Sequence, residues 1–247
     1  MSVIIEDGRL IRYEGGEICC TVSEGIRSIE DLAFSGAERL ERLLIPESVE
    51  SIGNYAFRMC YALQSVLLPR CVSHFGSGVF QHCWNLKSVR LPEGTETIGT
   101  DMFESCHELT SISLPGTVKS IARSAFSGCR NLRVIDAEPN QISLLPPAAR
   151  YIAVISYMEK NADGGGNEII DGFVSERQKN LLDLAVNRRS AEAVRYMLSR
   201  GLVSDDAVRE YLARSAERSR IEITALLLDH SRQSGSGTDI LGEDPFL

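Results

Sequence analysis

No stretch of this sequence is long and apolar enough to cross a bilayer as a helix. The longest mostly apolar run, Tyr151 to Met158, is less than half of the ~20 residues that a spanning helix requires. Cations never cluster beyond Arg188-Arg189, and the formal charge is -8 with both halves of the chain mildly acidic. Backbone binding to nucleic acid calls for a basic stripe, so no nucleic-acid partner is expected. The first residues, Met1-Ser2-Val3-Ile4-Ile5-Glu6-Asp7, carry no basic leader and only three apolar residues before an acidic pair. They do not read as a signal peptide, and a cytoplasmic location is expected; a cell-surface or secreted one is the alternative if the natural protein carries a leader. The patterns G-x-S-x-G, H-E-x-x-H and C-x-x-C are all missing. An enzyme, a cofactor and a metal are therefore not expected.

What the chain has in their place is a beat. Phe34, Phe57, Phe80, Phe103 and Phe126 recur every 23 residues. Around them the sequence reads I-x-x-x-x-F-x-x-C-x-x-L-x-x-(V/I)-x-L-P. Five residues before each phenylalanine stand Ile29, Ile52, Phe75, Ile98 and Ile121; three after it, Ala37, Cys60, Cys83, Cys106 and Cys129; six after it, Leu40, Leu63, Leu86, Leu109 and Leu132. Self-similarity at a fixed period of this length marks a solenoid. The alternation in L-x-x-(V/I)-x-L suits one short strand per turn with a single face inward. The following Pro46, Pro69, Pro92 and Pro115 stop that strand, because proline cannot donate to the ladder. Glu138 breaks the proline column, so the repeat fades there.

Seven cysteines, four of them in one column, read as a stack of small buried apolar side chains. A metal would need ligands that converge on a point, and a column spreads them along a line. Cys19, Cys20 and Cys71 fall outside the column and are expected to be partly exposed. His82-Cys83 and Cys106-His107 are neighbours in sequence, yet the inward cysteine and its outward neighbour do not form a thiolate-imidazole couple.

The segments Ile52 to Pro69 and Ile121 to Leu132 resemble the BspA-type, or Treponema-type, leucine-rich repeat. That resemblance covers roughly residues 20–138. It implies a curved solenoid that binds proteins or host surface components, with no catalytic residues to carry over.

Ahead of the repeats, Val3-Ile4-Ile5, Asp7-Gly8 and Leu10 to Tyr13 read as a hairpin, since Asp-Gly suits a turn of positive φ. Ile18 to Val22 would be a third strand. Together they make an N-terminal cap over the first turn. Beyond Glu138, Pro147 to Lys160 reads as a helix that covers the last turn, and Asn161 to Asn167 as a linker. Leu182 to Gly201 is similar to the helix-turn-helix core of an ankyrin repeat, and Leu212, Ala216, Glu222, Ile223, Leu226 and Leu228 repeat the pattern 30 residues later. The ankyrin Thr-Pro-Leu-His opening is absent, and Asp183 stands where its histidine would be.

The expected fold is thus α+β: a leucine-rich-repeat solenoid with its cap over 1–138, a helical ankyrin-like domain over 139–232, and a flexible tail over 233–247 whose Pro245-Phe246-Leu247 ending has the look of a short recognition motif. The expected function is non-catalytic binding of a protein partner in a bacterium, with a surface adhesin and a module without a dedicated ligand as alternatives. No membrane insertion is expected, and no oligomeric state follows from the residues. The candidate contact residues are Tyr61, Trp84 and His107, which follow the cysteine column in adjacent turns, and Leu44 and Leu67, which lie between inward strand positions and form an apolar patch that either binds a partner or is covered by the cap. The aromatic column generates the first test: Phe80→Ala should destabilise the fold by about 3 to 5 kcal/mol in denaturant unfolding, and a variant as stable as the parent would disprove a shared interior.

Overall fold

A computed structural model describes residues 3–215 and 221–233. The chain divides into two compact units, Met1–Ala153 and Val154–Leu247.

The first unit is built from short strands: β1 (Val3–Glu6), β2 (Arg9–Tyr13), β3 (Cys19–Thr21), β4 (Ser28–Ile29), β5 (Arg42–Leu44), β6 (Ser51–Ile52), β7 (Ser65–Leu67), β8 (His74–Phe75), β9 (Ser88–Arg90), β10 (Thr97–Ile98), β11 (Ser111–Ser113), β12 (Ser120–Ile121) and β13 (Val134–Asp136). Six of them, β3-β5-β7-β9-β11-β13, form one parallel sheet in which each residue pairs with its counterpart one turn away, as in Leu43↔Val66↔Val89↔Ile112↔Ile135. This is the expected ladder. The rings of Tyr13, Phe34, Phe57, Phe80, Phe103 and Phe126 run through the interior with successive centroids 5.1 to 5.7 Å apart. Phe57, Phe80 and Phe103 are wholly buried.

One strand per turn was the expectation, and the structure has two. The dipeptides ending in Ile29, Ile52 and Phe75 pair as β4, β6 and β8, and those ending in Ile98 and Ile121 pair as β10 and β12. When every turn has the same length, any extended dipeptide at a fixed column meets its copy above and below, so two residues suffice for a ladder. This second sheet is interrupted between β8 and β10. The break falls where Phe75 replaces the isoleucine of the column.

The N-terminal hairpin forms as expected, with Asp7 and Gly8 at φ 46° and 74°. It caps the array by continuing it. β2 pairs in parallel with β4, setting Leu10 beside Ile29, and Tyr13 stacks on Phe34. β3 opens the six-stranded sheet, which puts Cys20 beside Leu43 in the interior. The expectation that Cys20 is partly exposed is therefore corrected: strand alternation turns Cys19 outward and Cys20 inward.

At the other end a 3₁₀ helix, Pro139–Leu144, follows β13 and was not foreseen. Its Gln141 continues the inner column of Ile26, Val49, Val72, Thr95 and Val118. The buried Gln141 amide Nε2 donates to the Pro115 carbonyl (2.7 Å), satisfying backbone of the last turn that has no further strand above it. Helix α1 (Pro147–Lys160) then begins as expected.

The second unit contains the rest of α1 with α2 (Glu168–Glu176), α3 (Gln178–Asn187), α4 (Ala191–Ser199), α5 (Asp205–Ser215) and α6 (Ile221–Gln233). Asn167 caps α2 by accepting from the Ile169 and Ile170 amides, and Ser190 caps α4 through the Ala193 amide. Gly201, at φ 63°, ends α4 as expected: its amide bonds Leu198 and the next amide bonds Met197, the two bonds of a left-handed C-cap. α3 packs on α4 and α5 on α6, while α3 meets α5 and α4 meets α6, so one helix pair stacks on the other. Stacked pairs are common to many helical arrays, and the ankyrin likeness goes no further than this. The expected equivalent at Ala216, the tail from Ser234 onward and the Pro245-Phe246-Leu247 ending lie outside the described residues. Between α2 and α4 the Tyr196 hydroxyl donates to Asp171 Oδ1 (2.7 Å), whose other oxygen accepts from the exposed Arg200 Nε (3.0 Å).

The inner valine column carries one mismatch. Thr95 is fully buried and its Oγ1 has no hydrogen-bond partner. A buried hydroxyl left unpaired costs about 1 to 3 kcal/mol. Thr95→Val, which keeps the shape and matches the column, should therefore raise the unfolding free energy by about 1 kcal/mol; a lower melting temperature would show that the hydroxyl is needed.

Candidate partner-binding surface

In strands of three residues, the middle one points in and the two others point out. The outer face of the six-stranded sheet accordingly has two columns: Cys19, Arg42, Ser65, Ser88, Ser111 and Val134, and Thr21, Leu44, Leu67, Arg90, Ser113 and Asp136. Leu44 and Leu67 are register partners in adjacent strands, 55% and 65% exposed. The N-terminal cap does not cover them: its third strand, β3, places Thr21 beside Leu44 in the column, and both leucines stay exposed. The possibility that the cap hides this patch is thus removed. Arg42, two residues before Leu44, shares its face, and Arg90 follows Leu67 in the column. Arg42 is not among the residues singled out from the sequence, although the alternation of Arg42-Leu43-Leu44 carries the signal.

The second candidate group stands on the turn that precedes each strand. Tyr61 and Trp84 have centroids 4.3 Å apart at 35°, and Trp84 and His107 lie 6.0 Å apart at 19°. Tyr61 is tilted against Trp84 and Trp84 is stacked on His107, so each ring covers part of its neighbour's face along the column. Trp84 remains 43% exposed, and Tyr61 and His107 are half-buried. Such a stack offers a rigid ridge. Leu44 and Leu67 stand on strands and the three rings on the preceding turns, so the five candidate residues form two groups.

The cysteine column has a structural task. Each thiol donates to the phenylalanine carbonyl of the preceding turn: Cys60 to Phe34 (3.2 Å), Cys83 to Phe57 (3.1 Å), Cys106 to Phe80 (3.1 Å) and Cys129 to Phe103 (3.0 Å). Burial pushes the Cys83 and Cys106 thiols well above their usual range, Cys129 to about 12 and Cys20 to about 11. A thiol held neutral in this way is a poor nucleophile. The described cysteines are all free, and among the described residues no group of His, Cys, Asp and Glu is arranged to hold a metal ion. No described helix is long and apolar enough to cross a membrane.

A family model described as the BspA type leucine rich repeat region matches residues 19–133 in six copies. Those residues are a BspA-type leucine-rich-repeat array. A leucine rich cell surface protein from Faecalibacterium prausnitzii is similar to the chain at 34% identity and a TM-score of 0.54, over 56% of this chain and 38% of its own. A leucine-rich repeat protein from Eubacterium ventriosum shares the fold at 20% identity and a TM-score of 0.50, over 53% and 36%. The leucine rich repeat protein of T. pallidum is 28% identical with a TM-score of 0.46, over 52% and 73%. This chain therefore spans well under half the length of the Faecalibacterium and Eubacterium proteins. No curated protein matches the sequence.

The thiols of the array generate a test in two parts. In the native protein near pH 8 a maleimide should label Cys19 and Cys71, with Cys129 slow and Cys20, Cys60, Cys83 and Cys106 protected until unfolding. Because the folded thiol pKa values are raised, the stability they contribute is fully present below the ordinary thiol pKa of roughly 8.5 and is lost as pH rises through the folded values. Melting temperature should accordingly fall above about pH 9, and less steeply in Cys129→Ala.

Proposed function

We propose that this protein is a non-catalytic binding module of a bacterium, in which the BspA-type array of the 1–138 region presents a docking face to a partner protein. The observation that carries this reading is the pair Leu44 and Leu67, each more than half exposed on adjacent strands of a regular sheet. Contiguous exposed apolar side chains on a rigid face are characteristic of interaction sites. Arg42 and Arg90 frame the pair, so the partner segment it suits is apolar with acidic flanks. The stack of Tyr61, Trp84 and His107 supplies a second contact line, of residue types that are over-represented at hot spots. Nothing in this arrangement calls for catalysis, since the thiols nearest to histidines are spent on backbone carbonyls.

A surface-displayed role is the second reading. It is favoured by the 34% identity to a bacterial protein described as a cell surface protein. The two readings share the docking face and differ in the partner, an intracellular protein in one and a host surface component in the other.

The test immobilises the wild-type protein, a Leu44→Glu/Leu67→Glu double variant and Trp84→Ala, and exposes each to a bacterial lysate and to an extracellular-matrix preparation. A partner retained by the wild type should be lost with the double variant and weakened by about tenfold or more with Trp84→Ala. Equal recovery by all three would remove both patches as the site. The preparation that yields the partner separates the two locations.

A further inference from the structure

The C-terminal end of the array holds a cavity of about 540 Å³ that the docking face does not use. It lies wholly within the first unit. Phe126, the last ring of the aromatic column, forms part of its floor beside Leu132, and the first turns of α1 form the opposite wall through Ala148, Ala149 and Ile152. Cys129 also lines it and is the one member of the thiol column that is not fully buried, because no further turn stacks above it.

Two cations and the Ser127 side chain stand in this otherwise apolar lining. Arg123 and Arg130 are both exposed, and among the described residues neither guanidinium forms an ion pair or hydrogen bond. No acidic residue lines the cavity, and the first turn of α1 carries none. In a protein of formal charge -8 this is a local reversal of sign. The volume lies in the range of small-molecule sites, roughly 300 to 1,000 Å³.

We propose that this cavity binds a small amphipathic anion, an aliphatic carboxylate whose chain lies against Phe126, Leu132 and Ile152 and whose acid group meets Arg123 and Arg130. Both guanidiniums are solvated whether or not a ligand is bound, so it is the attraction of their charge that favours an anion over a neutral molecule, and a cation would be repelled by them. The planar, permanently charged guanidinium is the side chain best matched to a carboxylate. The site is separate from the sheet face, and neither reading depends on the other.

Decanoate titrated calorimetrically into the full-length protein is the probe, with decan-1-ol as the uncharged comparison. One decanoate per chain should bind, decan-1-ol more weakly by about tenfold or more, and Arg123→Gln/Arg130→Gln should lower the decanoate affinity by a similar factor. Ala148→Phe, an exposed wall position, should abolish binding with its circular dichroism unchanged. A second measurement needs no variant: saturating decanoate should slow maleimide labelling of Cys129 while leaving Cys71 unaffected. Absence of binding heat, equal binding of the alcohol, or unprotected Cys129 would overturn the proposal. So would a wild-type dimer in light scattering that Ala148→Phe converts to a monomer, since the cavity would then be an interface between copies of the chain.

Discussion

Equal turn length is the constraint on which the array rests. A residue in one turn meets its own counterpart 23 residues away, and the same contact is then made again at the next turn. The backbone shows how strictly this is imposed. Two residues before the phenylalanine, Leu32, Tyr55, Gly78 and Asp101 all have positive φ; two residues after it, Gly36, Met59, His82, Ser105 and Gly128 do too. Left-handed geometry costs an ordinary side chain roughly 1 kcal/mol or more. It persists because it turns amides of one turn toward carbonyls of the next, as Tyr55 to Ser77, Phe57 to Val79 and Met59 to Gln81. Backbone strain within a turn is thereby offset by bonds between turns, so that no turn has this conformation as its own optimum.

The same constraint accounts for the cysteines. A thiol three residues after each phenylalanine lies where it can donate to the carbonyl of the phenylalanine one turn earlier, and it is small enough to be enclosed there. The column begins at Ala37, which has no thiol to donate. The column is thus a hydrogen-bonded seam, and the histidines beside it have no thiolate to act on.

Much of this was legible in the residues. The apolar columns, the Asp7-Gly8 turn, the helix from Pro147 and the Gly201 cap each have a local cause that a single sequence displays. What escapes such a reading depends on neighbours. Cys20 looks like a stray thiol until β3 is seen to lie beside Leu43, and Ser51-Ile52 is too short to read as a strand until copies stand on both sides. Gln141 reads as a polar loop residue, although its amide closes the column that Ile26 begins. The stacked rings of Tyr61, Trp84 and His107 follow from the period alone, but the way their faces are spent on one another does not. The patch at Leu44 and Leu67 was visible by alternation; that the hairpin leaves it open was not.

The gap in the second sheet between β8 and β10 divides its ladder of short strands into a longer and a shorter run. The six-stranded sheet and the phenylalanine stack cross that gap without a break, β9 against β11 and Phe80 against Phe103, so one face of the array can lose its ladder locally while the turns stay joined through the other.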